Sequence, residues 1–279
     1  MTLRFNMLLA SEGIVPVDVR LLRHQTVGPR GRTPYGLWRD DRAAFELYQS
    51  AQAADPRRQA IFAAPYWASF VTPPDGETLF VGLYQTRRLG PAGPDLINPL
   101  TGQPASSAGP YDHYACTLLP QMSDYIGRLF IRWGEGTRSW VQRADNQDKE
   151  IVALAREFSE PEFPGFSQLI QPLSEIETMP PSWKAVLRAS RGVYLLACPR
   201  TREHYVGSAY GSDGFLGRWE AYVANSHGGN AALRIRDPSD YVVSVLEVAG
   251  STATADNIIA LEARWKQKLL SRDIGLNRN

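Results

Sequence analysis

Apolar and polar positions change their spacing several times along the chain, and each change marks an element. Residues 66–72 and 79–84 are apolar runs either side of Pro73-Pro74-Asp75-Gly76-Glu77, which predicts a β-hairpin. Residues 129–133 and 139–142 flank Gly134-Glu135-Gly136 and predict a second one. Residues 41–53 and 147–158 carry apolar positions at helical spacing. Residues 89–111 are rich in Pro, Gly and Ser and predict a loop. Further on, 159–182 holds five prolines and reads as a linker, with Phe166, Leu169, Ile170 and Leu173 expected to pack rather than float. The last third is simpler: strands over 192–197 and 204–208, a helix over 215–224, a strand over 241–248 and a helix over 256–270. Its β-β-α-β-α order lets three strands, covered by helices, bury a small core. The fold class expected is α+β. It comprises an N-terminal module (1–158) whose short strands permit a PUA-like barrel, a packed linker (159–182) and a small C-terminal domain (183–279).

Composition narrows the class. A chain of 279 residues with 43% hydrophobic and 21% charged residues is ordinary for a globular protein. It has no stretch of the ~20 apolar residues a membrane helix needs, and its first residues lack a convincing cleavage region, so a cytoplasmic location is expected. Cys116 and Cys198 are far apart with no C-x-x-C pairing, which argues against a disulfide framework and a cysteine-rich zinc site. The net charge of +1 is unevenly spread. From residue 183 onward there are 13 Lys/Arg against 9 Asp/Glu, whereas residues 61–182 are net acidic. That bias permits a polyanionic partner at the two ends without identifying one. The chain has no phosphate loop, no H-E-x-x-H and no G-x-S-x-G elbow. His24 and His113 read as ordinary residues. Trp67, Trp133 and Trp140 read as core of the N-terminal module, with an aromatic cage around a flipped base as the sharper alternative.

The chemistry concentrates after residue 190. Gly192-Val193-Tyr194 opens one strand, and ten residues later Tyr205-Val206-Gly207 mirrors it. Arg218, His227, Glu262 and Asn277 follow in that order. Over roughly residues 185–279 this pattern resembles the GIY-YIG nuclease superfamily. The resemblance implies a three-stranded antiparallel sheet flanked by helices that hydrolyses phosphodiesters. Tyr194 and Tyr205 would line the site, one of them orienting or deprotonating the attacking water.

The residue types suit that chemistry independently. Phosphodiester hydrolysis needs an activated water, a cation at the phosphate and stabilisation of the leaving oxygen. Glu262 falls at the edge of the apolar stripe Ile258, Leu261, Trp265 and Leu269, half turned to the core, where one carboxylate suffices to hold a hydrated hard ion. Its bland reading is an i,i+4 pair with Lys266 on a solvated face. Arg218 offers a planar fork for phosphate oxygens, or is simply an exposed arginine. Gly207 would let the backbone turn away beneath the substrate. His227, in Ser226-His227-Gly228-Gly229-Asn230, resembles the H-G-G-N segment of restriction-type members; it reads as a proton shuttle, a phosphate ligand or a loop cap. Asn277 matches the terminal asparagine of the superfamily, where it would hold the active-site end of the sheet.

Together these readings predict a DNA endonuclease dependent on Mg2+ (or Mn2+), of bacterial restriction or defence type, with targets selected by the N-terminal module. Its catalytic set is Tyr194, Tyr205, Arg218, His227, Glu262 and Asn277, with Glu262 as metal ligand. Arg20, Arg23, Arg30, Arg32, Tyr222 and Asn230 are candidate nucleic-acid contacts. DNA is the expected partner, no membrane is involved, and cutting both strands with one small site would favour a homodimer. Two other readings stand beside it: structure-specific repair or processing, and a catalytically silent binding protein. In an active enzyme Tyr205, Arg218 and Glu262 must converge on one open cleft; in a scaffold they need not.

Overall fold

A computed structural model describes residues 2–134, 139–225 and 241–277. The chain forms two units, Met1–Pro161 and Glu162–Asn279, each with helices and a sheet, so the class is α+β.

In the first unit the elements run α1 (Phe5–Ser11), β1 (Val19–His24), α2 (Pro34–Asp40), α3 (Arg42–Ser50), β2 (Ala51–Ala53), α4 (Pro56–Phe62), β3 (Tyr66–Val71), β4 (Leu79–Pro91), β5 (Tyr111–Leu118), β6 (Leu129–Arg132), β7 (Val141–Arg143) and β8 (Glu150–Leu154). The described strands make one sheet in the order β2-β5-β4-β3-β1-β7, with β6 joining β4 to β8. Pairing is antiparallel except for β1 beside β3. Helix starts follow local chemistry: the side chains of Thr33, Asp41 and Asp55 accept from backbone N–H groups of the first turn, and proline enters the first turn of α2 and α4. Phe5, Phe70 and Phe80 pack as an aromatic triad in the core.

Several sequence expectations change here. The 66–72/79–84 hairpin forms, and β4 runs on to Pro91, into the expected loop. The helix expected over 41–53 ends at Ser50 and passes directly into β2. The helix expected over 147–158 is instead β8, because residues 150–154 take up the free edge of β6. Among the described residues no pairing joins β6 to β7, so the second hairpin does not form there; β7 lies along β1.

The second unit contains β9 (Ile170–Pro172), α5 (Pro181–Ala189), β10 (Gly192–Ala197), β11 (His204–Ala209), α6 (Gly214–Asn225), β12 (Val242–Val248) and α7 (Ala255–Lys268). Its sheet has four described strands, β11-β10-β12-β9, all antiparallel, rather than three. The extra strand comes from the proline-rich segment, where β9 pairs with β12 and a 3-10 turn, Leu173–Thr178, buries Leu173 and Ile176. Residues 162–182 are thus part of this unit's core, together with Trp183, Tyr194, Phe215 and Trp219. Gly214, at φ +52, starts α6 where a Cβ would strike the carbonyl oxygens of Ser190 and Arg188. Helix α7 opens with a Thr254/Asn257 capping box and is pinned to β12 by Trp265 Nε1 donating to Glu247 Oε2 at 2.7 Å.

Candidate active site

β11 is an edge strand. Its alternation sends Tyr205 and Gly207 to the side of α6, and Val206 and Ser208 to the side of α7. A site around this strand therefore collects groups from both helices.

On the α6 side, Gly207 lies opposite Tyr194 in the ladder. A Cβ at 207 would be 2.5 Å from Tyr194 Cζ and 2.9 Å from Tyr205 Cε1. The glycine makes room for the Tyr194 ring to cross β11; it does not turn the backbone away, since the strand continues to Ala209. Gly192 has a different reason: at φ +154, beside a bulge at Val193/Tyr194, its Cβ would collide with the carbonyl oxygen of Glu247. The mirror triplets thus bring two tyrosines to one place by backbone proximity.

Tyr194 is fully buried, and its hydroxyl is 2.8 Å from that of Tyr222. Arg218 Nε donates to Tyr194 Oη at 3.3 Å, while its guanidinium carbon stands 5.2 Å over the Tyr222 ring. Burial holds the Tyr194 and Tyr222 phenols well above the usual phenol range, so both stay neutral. Burial works against the Arg218 charge, and the neutral Tyr194 hydroxyl, which accepts from Nε, and the Tyr222 ring face offset that cost. Tyr194 therefore supports Arg218 from behind. Tyr222 was expected beside Arg218 as a nucleic-acid contact; it is instead enclosed in the core, because the α6 turn that exposes Arg218 points residue 222 at Tyr194.

On the α7 side, Glu262 accepts a short hydrogen bond from Ser208 Oγ and pairs through Oε1 with Lys266 Nζ at 2.7 Å. The buried residues of the helix are Ile258 and Lys266, with Glu262 half-buried between them on the same line, and Lys266 is only 5% exposed. Hence the pair with Lys266 exists, but not on a solvated face.

These groups meet. Tyr205, Ser208, Tyr210, Arg218, Glu262 and Lys266 line one cleft of about 360 Å³, with Arg272 at its margin. A second cleft of about 310 Å³ shares Ser208, Tyr210 and Arg218 and extends to Asp213 and Gly217. Asn277 stands apart from the cleft lining. Its amide accepts from Val206 N at 2.9 Å and donates to Val206 O at 2.8 Å, capping the free edge of β11 between Tyr205 and Gly207. His227 and Asn230 lie outside the described residues.

Ser208, Tyr210 and Arg272 were not singled out in the sequence. Period-2 spacing would have flagged Ser208, since it shares the face of β11 opposite Tyr205 with His204 and Val206. The N-terminal arginines belong to the first unit. Arg20 donates to the carbonyl oxygens of Ile61 and Val17, and Arg32 to that of Pro99. Arg23 lies over Trp133, while the Arg30 side chain is outside the described residues.

No metal cluster of three or more His, Cys, Asp or Glu occurs among the described residues. The donors at the cleft are oxygens: one carboxylate and the hydroxyls of Ser208, Tyr205 and Tyr210. That set fits a hard, largely hydrated divalent ion and does not fit zinc.

No protein-family model and no curated protein matches the chain. Among solved structures, the catalytic domain of intron endonuclease I-TevI is similar over 32% of this chain and 94% of that chain, at 24% identity and a TM-score of 0.27.

Proposed function

We propose that the second unit hydrolyses phosphodiester bonds in DNA. The observation that carries this reading is the convergence of Tyr205, Arg218 and Glu262 on one open cleft, although they come from a strand and two different helices. An unrelated use of the same motif residues would not require that meeting.

In this reading a phosphate lies between the two sides of β11. The exposed part of Arg218 takes its non-bridging oxygens and answers the charge that grows there; Tyr194 and Tyr222 fix the guanidinium plane from behind. Tyr205, at the cleft floor, orients the attacking water. Glu262 would hold a Mg2+ or Mn2+ ion, which supplies charge neutralisation at the phosphate and a more acidic bound water. Ser208 fixes the rotamer of the carboxylate through its hydrogen bond. Lys266 pairs with Glu262 and adds a second positive charge at the cleft wall. Asn277 holds the backbone that carries Tyr205. Target choice is assigned to the first unit, since the catalytic unit is small, and a bacterial restriction or defence role fits that division of labour.

One observation favours a second reading, a nucleic-acid-binding protein without hydrolysis: both Glu262 oxygens already have partners in Ser208 and Lys266. One experiment separates the two. Plain, modified-base, branched and single-stranded DNA are incubated with Mg2+, Mn2+ or EDTA and the wild-type or Glu262→Gln chain. Metal-dependent cutting that Glu262→Gln abolishes is the expected result, and the favoured substrate chooses between restriction and repair. Absence of cutting on every substrate, with DNA still bound, establishes the second reading.

A further inference from the structure

Two cations of the first unit stand over a single indole. The Arg23 guanidinium carbon is 5.1 Å from the centroid of the Trp133 ring, and Lys149 Nζ is 4.9 Å from the same centroid. Trp133 is a firm platform: buried, edge-on to Phe70 at 6.0 Å, with its Nε1 donating to Ser139 O at 3.2 Å. Lys149 is buried as well and donates to the Trp133 carbonyl oxygen at 2.7 Å, with two of its three N–H bonds lacking a partner among the described residues. Arg23 Nε is buried without a hydrogen-bond partner.

Several cations of this unit have an acid partner, and this pair has none among the described residues. Elsewhere in the same unit Arg39 pairs with Asp40 and Glu160, Arg88 with Asp112, Arg132 with Glu150 and Arg143 with Asp145. Neither Arg23 nor Lys149 has a carboxylate partner among the described residues, although residues 61–182 are net acidic. Burial and the nearby Arg23 charge both lower the Lys149 pKa, as expected of two like charges held together without a counter-ion. Two like charges on one indole, Lys149 buried and Arg23 partly buried, are costly unless an anion joins them, and the indole face offsets only part of that cost.

We infer that Arg23 and Lys149, mounted on Trp133, form a phosphate-binding site for the DNA backbone, outside the hydrolytic cleft. This rests on the reading of DNA as substrate. A guanidinium fork and an ammonium with free donors suit the oxygens of one phosphodiester. Trp133 sets their spacing. Such a contact adds affinity without reading sequence, and so fits a unit that must hold DNA while it selects a target.

The test is duplex binding by fluorescence anisotropy across a NaCl series, in EDTA so that nothing is cut. It uses the full chain as wild type, Arg23→Gln, Lys149→Gln, the double variant and Arg23→Lys. One phosphate contact contributes about 0.9 to the slope of log K against log salt. The double variant is expected to lose about that much, each single variant a part of it, and Arg23→Lys to keep most. Hydrogen exchange of the Trp133 peptide in the wild-type chain, with and without duplex, reads the same contact without a substitution; added protection is expected.

An unchanged slope in folded variants, with no added protection, overturns the proposal and leaves a purely structural cation–indole staple. So does a wild-type chain that binds no duplex. Inorganic phosphate at fixed ionic strength forms a second arm. If it raises the wild-type melting temperature but not that of the double variant, while the DNA slope is unchanged, the site takes free phosphate and the DNA assignment is lost. The hydrolysis reading fails separately, through absence of metal-dependent cutting, whatever the salt slope does.

Discussion

Lys266 stands one helical turn beyond Glu262 and holds its Oε1 at 2.7 Å, and of the two side chains the ammonium is the more buried, 5% against 13% exposed. Removing the carboxylate therefore does two things at once. Glu262→Ala is expected to abolish cutting and also to cost about 3–5 kcal/mol of stability, because it strands a buried charge. Glu262→Gln keeps an oxygen for Lys266 and Ser208, so it should fold nearly normally while cutting falls ~10²-fold or more. Adding Lys266→Met to Glu262→Ala should recover much of the stability and none of the activity. Urea midpoints beside cleavage rates check this; recovered activity in the double variant would show that Glu262 acts only through packing.

Asn277 replaces a neighbouring strand at Val206 with a single amide, accepting from its N–H and donating to its carbonyl. Asn277→Ala leaves both groups unpaired and should cost about 1–3 kcal/mol. Asn277→Asp is expected to be worse, since a carboxylate faces the Val206 carbonyl with no donor to offer. Hydrogen exchange at the Val206 amide gives a direct reading: it should quicken in both variants and quicken more in Asn277→Asp. Equal, unchanged exchange would mean that β11 needs no cap.

How much of this site the sequence disclosed depends on what each residue meets. The hairpin was legible because Gly192-Val193-Tyr194 and Tyr205-Val206-Gly207 place their residues by backbone geometry alone, and ladder pairing follows from strand order. Helix α7 was legible as a helix, but its buried line was not. Periodicity weighs Leu261 and Trp265 inward and charges outward, whereas Glu262 and Lys266 neutralise each other and take the inner line with Ile258. Tyr222 was misplaced for a related reason: a phenol beside an arginine looks solvent-facing until Tyr194 supplies its hydroxyl with a partner. Tertiary pairing also overrode local signals at β8, whose residues carry helical spacing yet complete the edge of β6, and at β9, hidden among prolines.

Gly207 is the tightest point of the site, since a methyl group there meets the Tyr194 ring from above and Tyr205 from beside. Gly207→Ala is expected to cost about 1–3 kcal/mol as overpacking and to slow cutting by shifting Tyr205 and, through Tyr194, Arg218. Tyr194→Leu alone is also destabilising, through loss of the Tyr222 and Arg218 contacts. The two together should lose less than the sum, because the clash that the alanine makes needs the ring. A double-mutant cycle by urea denaturation measures that coupling, and strict additivity would remove Tyr194 as the reason for the glycine.

His24 carries a proton-linked prediction for the first unit. Its imidazole is fully buried among Phe45, Tyr48 and Trp140, with Nε2 unpartnered, and burial lowers its pKa to about 3. An unfolded histidine titrates near ~6.5, so below that pH the unfolded chain binds a proton that the folded chain refuses. Stability from this group is therefore fully present above about 6.5. As the pH falls from there toward about 3, it drops by up to about 1.4 kcal/mol per unit. Carboxylates add their own acid dependence, but equally in a variant that lacks the imidazole. His24→Leu should consequently flatten the loss between pH 6.5 and 4 by about one proton's worth of slope. Urea midpoints at half-unit steps, followed by tryptophan fluorescence, decide it: parallel curves for the two chains would mean that the unit opens enough to protonate His24 without unfolding.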